Sequence, residues 1–355
     1  MHRQSLSLVG VSLVLASNVA GCAPAPAATA QGTVVRAEIK SAALADNLIG
    51  NPDTREYYVY LPPGYYTSGK RYPVVYALHW YGGHAVQWIE YGLPGIMDNL
   101  VGQGQAREMI FVFPDGDSKS VESWFMSSAT IGDYEAYITK DLVGKIDSTY
   151  RTLPGRNSRG IMGCSMGGTA AFHLGLRYPD VFGVVVSMSS PTLDLEHDPR
   201  WQMAASQYQF NPQTVGDLLR YDFHDAARLS MAAVAAPNPG KPPLYFDLPF
   251  RLVHGRAEIV PEVFDKINNT LDPLQSDIRA YLGQPVRWRG FMIYDDTNDS
   301  HPVPGVSAHS VRASRLADQV LTQAGIEHEF RQIKGTHCDL SITPVIEFFD
   351  TRLMH

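Results

Sequence analysis

The chain has 355 residues, of which 45% are hydrophobic and 18% charged, a composition typical of a folded globular protein rather than a disordered one. The formal net charge is −7 and no run of basic residues stands out, which argues against a nucleic-acid partner. The length exceeds that of one average domain, but it is normal for one α/β domain that carries an insertion.

Residues 1–21 have the pattern of an export signal. Their apolar stretch, Leu6–Val19, is too short to span a bilayer stably. The four residues that end at Cys22 resemble the lipobox of bacterial lipoproteins, in which Cys22 would be lipidated and become the mature N-terminus. Cleavage by the ordinary signal peptidase within residues 23–30 is the alternative. We therefore expect an exported protein that contacts the membrane only through a lipid anchor on Cys22.

Residues 22–33, in which Pro alternates with Ala, predict a flexible tether. We expect the remaining chain, 34–355, to form one folded domain. Polar and apolar residues alternate in Val34–Lys40 and in Arg55–Leu61, which predicts antiparallel strands with one solvent-exposed face.

Further along the chain, continuous apolar runs alternate with helical spacing. The predicted strands are Tyr72–His79, Met109–Pro114, Gly160–Gly163, Val184–Met188, Gly290–Asp295 and His328–Ile333. The predicted helices are Asp133–Tyr150, Thr169–Arg177, Ala308–Ala324 and Thr343–Leu353. This order predicts an α/β fold with a mostly parallel sheet and helices on both faces.

The pattern loosens over residues 191–289, which we interpret as an insertion between strands rather than a second domain. Short helices are predicted at Met203–Phe210, Thr214–Leu219 and Ala226–Ala236. An insertion at this point favours a lid that shapes the pocket, and a structural decoration far from the site is the alternative.

Ser165 lies in a Gly-x-Ser-x-Gly motif between the predicted strand Gly160–Gly163 and the helix that follows. A serine in this context is typical of a nucleophile elbow, in which a sharp turn exposes the hydroxyl above the sheet. The backbone N–H of Met166, at the positive end of that helix, would then be available to a developing oxyanion. A glycine-rich turn without catalytic meaning is the alternative.

A serine nucleophile needs a base, and His337 fits best among the 12 histidines because it follows the last strand and precedes the final helix. His79, at a strand end before glycines, is expected to support the oxyanion loop, and His173 to be a packing residue. His301 and His309 do not directly follow a predicted strand that would place them at the edge of the sheet.

The acid that orients the histidine is expected on a loop after a late strand. Asp299 lies just beyond the predicted strand Gly290–Asp295 and before the penultimate helix. Asp296 is nearly as well placed. Glu258 is a third candidate, although a whole strand and helix still separate it from His337.

The second oxyanion donor should come from the loop after the strand Tyr72–His79. We predict the Tyr81 N–H, with that of Trp80 as the alternative, because the following glycine pair lets the backbone approach a substrate.

Cys164 precedes Ser165 and Cys338 follows His337. If Ser165 and His337 act together, the two cysteines must lie close to each other. In an exported protein, two such neighbouring thiols should oxidise. We therefore predict a disulfide between them, with two buried free thiols as the alternative.

Several motifs together resemble the family of α/β-hydrolases that includes esterase D and bacterial feruloyl esterases. The matching segments are residues 78–83, 122–128, 134–142 and the elbow with residues 177–183. The resemblance implies the α/β-hydrolase fold, and it aligns Asp296-Thr297-Asn298-Asp299 with the acid loop, which implies Asp299 as the acid. The chain departs from the family at Trp80, where glycine is usual. The Cys-Ser and His-Cys pairs are also similar to the arrangement in the tannase group.

The sequence thus predicts a serine carboxylesterase in which Ser165, His337 and Asp299 cleave an aromatic-acid or short-chain acyl ester, either a small molecule or linked to carbohydrate. Trp80, Trp124 and Phe125 are expected to line the acyl pocket, with core packing as the alternative. No metal or organic cofactor is implied, because the histidines lack ligand spacing. An acyltransferase with the same machinery, or a non-catalytic surface-binding protein on this fold, are the other hypotheses.

Overall fold

A mixed eight-stranded sheet forms the centre of the fold. The computed structural model describes residues 30–190, 195–198, 201, 205, 211–272, 274, 276–297, 306–339 and 341–355. The strands of the sheet are β1 (Thr33–Lys40), β2 (Thr54–Leu61), β3 (Val74–Leu78), β4 (Ile110–Pro114), β9 (Arg159–Cys164), β10 (Val184–Met188), β13 (Gly290–Asp296) and β14 (Glu329–Ile333). Short hairpins follow β4, formed by β5 (Asp117–Ser118) with β6 (Val121–Glu122) and by β7 (Ser127–Ser128) with β8 (Gly132–Asp133).

The strand order is β1-β2-β4-β3-β9-β10-β13-β14. β2 runs antiparallel to both of its neighbours, and the remaining pairs are parallel. The carboxyl ends of β3, β9, β10, β13 and β14 therefore meet at one edge of the sheet, where open α/β folds bind their ligands.

Helices cover both faces of the sheet. They are α1 (Gln87–Glu90), α2 (Leu93–Gly102), α3 (Tyr134–Ala136), α4 (Val143–Thr149), α5 (Met166–Arg177), α6 (Phe223–Ala235), α7 (Pro261–Leu271), α8 (Ser276–Gly283), α9 (Val306–Gln323) and α10 (Thr343–Arg352). Alternate residues of each strand enter opposite cores: Tyr76 and Ile161 pack with α5 and α9, whereas Ala77 and Met162 pack with α2 and α10. None of the described helices is long and apolar enough to cross a membrane.

The insertion is more structured than the sequence predicted. It contains a hairpin of β11 (Phe250–Val253) and β12 (Arg256–Ile259), followed by α7 and α8, none of which was predicted. The expected helix Thr214–Leu219 is a short 3₁₀ helix, Val215–Arg220, and Ala226–Ala236 corresponds to α6. The helix expected at Met203–Phe210 lies outside the described residues, as do the signal sequence 1–21 and Cys22.

Two predicted helices differ in detail. The elbow helix begins at Met166, not Thr169, because its first turn packs glycines directly against the sheet. The predicted helix Asp133–Tyr150 contains a π-helical segment, Tyr137–Leu142, between α3 and α4. The helices α1 and α2 between β3 and β4 were not predicted.

Candidate active site

Ser165 lies at the carboxyl edge of the sheet, between β9 and α5. Its backbone has φ 54° and ψ −120°, a conformation that a non-glycine residue adopts only when the surroundings enforce it. The enforcing contact on one side is a hydrogen bond in which the Ser165 N–H donates to the Met188 carbonyl at 2.9 Å. This strained strand-to-helix turn has the backbone geometry expected of a nucleophile elbow.

The glycines around Ser165 let backbone pack against backbone. A Cβ added at Gly163 would lie 2.3 Å from the carbonyl carbon of Gly167, and one added at Gly168 would lie 2.2 Å from the Met188 oxygen. A Cβ at Gly167 would lie 2.4 Å from the Leu78 oxygen. No side chain fits these distances, so the turn and the end of β3 are in direct contact.

The loop after β3 is therefore held beside the first turn of α5. A Cβ at Gly167 would also lie 2.6 Å from the His79 oxygen. Met166 is the first residue of α5, where a backbone N–H has no acceptor within the helix. The predicted oxyanion donors, Met166 and Tyr81, thus lie on two adjoining segments.

Hydrogen bonds occupy the backbone N–H groups around Tyr81. The Trp80 N–H donates to Gln87 Oε1 at 3.0 Å, and the Gly82 N–H donates to Glu122 Oε1 at 2.8 Å. The Gly83 N–H donates to the Trp80 carbonyl at 3.0 Å. Among the described residues the Tyr81 N–H has no acceptor. This favours Tyr81 over Trp80 as the donor to a substrate.

His79 supports this loop from below. Its Nε2 accepts the Gly116 N–H at 2.9 Å, so Nδ1 carries the proton and donates to the Trp80 carbonyl at 3.0 Å. Burial lowers the pKa of His79 to about 4, which keeps the ring neutral and preserves both bonds at neutral pH. These contacts agree with the predicted supporting role.

Cys164 and Cys338 form the predicted disulfide, with their Cα atoms 5.7 Å apart across 174 residues of sequence. Ser165 and His337 each adjoin one of these cysteines. His337 lies between β14 and α10, in a turn in which the Asp339 N–H donates to the Thr336 carbonyl at 2.9 Å. The structure thus brings the segments of the predicted nucleophile and base together.

Asp299, the predicted acid, lies outside the described residues. The segment leading to it ends at the carboxyl edge, where the Thr297 N–H donates to the Ile333 carbonyl at 2.8 Å. The alternative Asp296 is fully buried at the end of β13. Glu258 lies instead on β12, away from the central sheet, with its side chain 49% exposed and 3.3 Å from Arg251.

The three aromatic residues predicted for the acyl pocket have different environments. Trp80 is half-buried, with its ring 5.5 Å from that of Trp88. Trp124 is 2% exposed and donates its indole N–H to the Ser230 hydroxyl at 2.9 Å, which joins the core to α6. Phe125 has no exposed surface and packs on His79 at 5.0 Å, so it has no surface with which to line a pocket in this conformation.

Sequence reasoning missed the side chains that hold the Tyr81 loop. Glu122 and Gln87 contact it directly, and His84 lies nearby with its Nδ1 2.6 Å from Asp117 Oδ2. Burial and the neighbouring Asp115 raise the pKa of Asp117 to about 6. Glu122 begins the segment 122–128 that resembles the family, but this resemblance did not indicate its contact with the Tyr81 loop.

His79, Asp115 and Asp117 form the one group among the described residues whose ligand atoms are close enough to hold a metal ion. His79 Nε2 already accepts the Gly116 N–H, and the Arg55 guanidinium lies 2.8 Å from Asp115. These contacts use the atoms that a metal would need. The group is therefore better explained as a hydrogen-bonded support for the loop after β3.

His173 of α5 does more than fill space, because it lies in a buried charge cluster. Its Nδ1 is 2.7 Å from Asp277 Oδ2 on α8, and its Nε2 is 3.6 Å from Glu135 Oε1 on α3. Burial alone would lower the pKa of His173, but the adjacent carboxylates of Asp277 and Glu135 outweigh this effect and raise the pKa. The cluster joins the elbow helix to the insertion.

The family model described as "Putative esterase" matches residues 52–230. An endo-1,4-beta-xylanase/feruloyl esterase of Xylanibacter ruminicola is 34% identical over 130 residues, which are 35% of this chain and 18% of that protein. A protein of Mycobacterium tuberculosis described as an esterase is 29% identical over 256 residues, which are 70% of this chain and 51% of that protein. The chain thus spans at most about half the length of these relatives.

Solved structures share the fold. A ferulic acid esterase superposes with a TM-score of 0.57 at 22% identity, covering 91% of this chain and 99% of that one. An S-formylglutathione hydrolase of Staphylococcus aureus superposes with a TM-score of 0.54 at 13% identity, covering 90% of this chain and 99% of that one. The predicted α/β-hydrolase fold is confirmed.

Proposed function

The chain belongs to the Putative esterase family, and on that premise we propose that it is a serine carboxylesterase. The observation that carries the proposal is the Cys164–Cys338 disulfide, which holds the segments of Ser165 and His337 together beside a strained elbow. A turn of this kind stores strain that a purely structural role would not require.

In the proposed reaction the Ser165 Oγ attacks the ester carbonyl while His337 takes its proton. The bond between Oγ and the carbonyl carbon forms, the carbonyl oxygen becomes an oxyanion, and the N–H groups of Met166 and Tyr81 bind it. Collapse breaks the bond to the alcohol oxygen, which takes the proton from His337. A water molecule, deprotonated by His337, then attacks the acyl carbonyl carbon. The bond from that carbon to Oγ breaks, the acid is released, and Oγ takes the proton back from His337. Asp299 would hold the imidazole in the required orientation.

The substrate class we propose is an ester of an aromatic or short-chain acid, either small or attached to carbohydrate. Two solved structures of the same fold support the aromatic class: a ferulic acid esterase from Anaeromyces mucronatus in complex with ferulic acid, and a feruloyl esterase module from Clostridium thermocellum complexed with sinapinate. Of the three aromatic residues predicted for the acyl pocket, only Trp80, which begins the Tyr81 turn, is more than slightly exposed, so we assign it to contact such an acyl group.

We also propose that the protein is exported, with Cys22 as a lipid attachment point. The Cys164–Cys338 disulfide supports export, because such bonds persist in oxidising compartments. Mass spectrometry of the protein extracted from membranes would test the anchor. An unmodified Cys22 on the mature protein would contradict it.

Hydrolysis of p-nitrophenyl acetate, butyrate and octanoate, compared with methyl ferulate, tests the proposed function. We expect turnover by the wild type and its loss in Ser165→Ala, with the rate ranking of the esters reporting the size of the acyl pocket. Equal turnover by Ser165→Ala would contradict the assigned nucleophile. No turnover by either protein would contradict the esterase proposal and favour a binding role.

A further inference from the structure

We propose that Glu122 and Gln87 are positioning residues of the oxyanion hole, and this proposal rests on the proposed esterase function. Each accepts one backbone N–H of the loop after β3, on either side of Tyr81. Together they orient the intervening Tyr81 N–H as the donor that this loop presents to the substrate oxygen.

The geometry of the loop supports this assignment. The Gly83 N–H donates to the Trp80 carbonyl at 3.0 Å, which closes a four-residue turn with Tyr81 and Gly82 at its centre. Gly82 has φ 75°, as the third residue of a type II turn requires. Trp80, Gly82 and Gly83 all have acceptors, so Tyr81 has the one N–H of this turn that remains open among the described residues.

The contacts of Glu122 and Gln87 fix the position of the loop. Glu122 is 1% exposed, whereas Gly82 is exposed, so the hydrogen bond fastens a surface turn to the core. A Cβ at Gly83 would lie 2.0 Å from Gln87 Oε1, so the amide of Gln87 passes through space that only glycine leaves open. The ring of Tyr81 is fixed as well, 6.0 Å from Trp124 and 5.0 Å from Phe223.

The surroundings of Glu122 favour its uncharged form, which is compatible with a neighbouring oxyanion. Burial raises its pKa well above the usual range, and the neighbouring Asp117 and Asp115 add to this, against the opposing effects of the hydrogen bond from the Gly82 N–H and of Arg55. The raised pKa favours the neutral carboxylic acid, which would accept the Gly82 N–H without placing a negative charge near the developing oxyanion. Glutamine would reproduce this state, because it keeps the carbonyl acceptor and carries no charge.

The test compares variants that keep or remove each acceptor. Glu122→Gln keeps it, whereas Glu122→Leu and Gln87→Met remove it with little change in volume. The readouts are kcat and KM for p-nitrophenyl acetate, and the Ki of an aryl trifluoromethyl ketone, whose adduct with a serine places an oxyanion in the hole. The ketone distinguishes loss of oxyanion binding from a general structural effect.

We expect Glu122→Leu and Gln87→Met to lower kcat by roughly 10- to 100-fold, as a misplaced donor does, with KM nearly unchanged. The Ki should rise by the same factor, and Glu122→Gln should stay within about 3-fold of the wild type. If Glu122→Leu does not fold, Gln87→Met carries the test.

Wild-type kcat in Gln87→Met or in folded Glu122→Leu would overturn the proposal. So would an equal loss in Glu122→Gln and Glu122→Leu, or a fall in kcat without a rise in Ki. Failure of the esterase function itself looks different, because the wild type would then neither turn over the ester nor bind the ketone.

Discussion

The two sides of the candidate site are held by different kinds of contact. On the nucleophile side, Gly163, Gly167 and Gly168 pack backbone against backbone, and the disulfide joins Cys164 to the segment of His337. On the side of the proposed oxyanion hole, the loop after β3 is held mainly by single hydrogen bonds between its backbone and the side chains of Gln87, Glu122 and His79.

This difference predicts different responses to mutation. A Cβ added at these glycines would lie near 2.3 Å from backbone atoms that cannot move aside. A substitution there should therefore lower the stability of the whole fold. A single hydrogen bond contributes only about 0.5–1.5 kcal/mol to stability, so its loss should leave the fold intact and act on rate. Substitutions at the elbow, the disulfide and the His173 cluster test this contrast.

The largest effect is expected from Gly167→Ala. Its Cβ would lie 2.4 Å from the Leu78 oxygen and 2.6 Å from the His79 oxygen, so β3 and α5 must separate. We expect activity to be lost and the free energy of unfolding to fall by more than about 3 kcal/mol, measured by denaturant titration.

The matched control for Gly167 is Gly144→Ala. Gly144 lies in α4 with nothing within 4 Å of an added Cβ, so alanine should stabilise the helix by about 0.5–1 kcal/mol. Equal stability of Gly167→Ala and the wild type would contradict the packing described for the elbow.

Removal of the disulfide should have the next largest effect. The double variant Cys164→Ala/Cys338→Ala opens a link across 174 residues, and we expect the free energy of unfolding to fall by about 2–5 kcal/mol. The kcat for p-nitrophenyl acetate should fall too, since Ser165 and His337 lose their shared anchor. Reductant should reproduce this loss in the wild type and leave the double variant unchanged; an insensitive wild type would argue that the bond does not hold the site.

His173→Gln tests the cluster that joins α5 to the insertion, and we expect a loss of about 1–3 kcal/mol that depends on pH. Because Asp277 and Glu135 raise the pKa of His173, its contribution is complete below its ordinary pKa near 6.5 and disappears as pH rises through the raised value. Burial opposes ionisation of Glu135, but His173 and Arg177 lower its pKa to about 2, so its contribution disappears only as pH falls towards 2.

The difference in Tm between the wild type and His173→Gln should therefore be largest near pH 5–6 and shrink as pH rises. His254→Asn, in the exposed turn between β11 and β12, is the control and should show no such trend. A difference independent of pH would mean that His173 contributes by packing alone.

The central sheet could be predicted from sequence because its strands are buried on both faces and read as continuous apolar runs, as in Val184–Met188. The elbow could be predicted because its glycines are a local requirement of the turn. The disulfide followed from the neighbours of Ser165 and His337.

The insertion was harder to predict for physical reasons. The strands of β11 and β12 are four residues each and largely exposed, so they lack an apolar period. Helix α7 is different, because Val263, Ile267 and Leu271 lie at helical spacing and this pattern is visible in the sequence. Glu122 and Gln87 could not be found this way, because their roles depend on contacts across 40 and 7 residues that no periodicity encodes.

The most direct test of the account is the site of covalent modification by a fluorophosphonate, located by peptide mass spectrometry. We predict one adduct per chain, on the peptide that contains Ser165, with none in Ser165→Ala and slower labelling in His337→Gln. An adduct on any other residue, or undiminished labelling of Ser165→Ala, would contradict the assignment of Ser165 as the nucleophile.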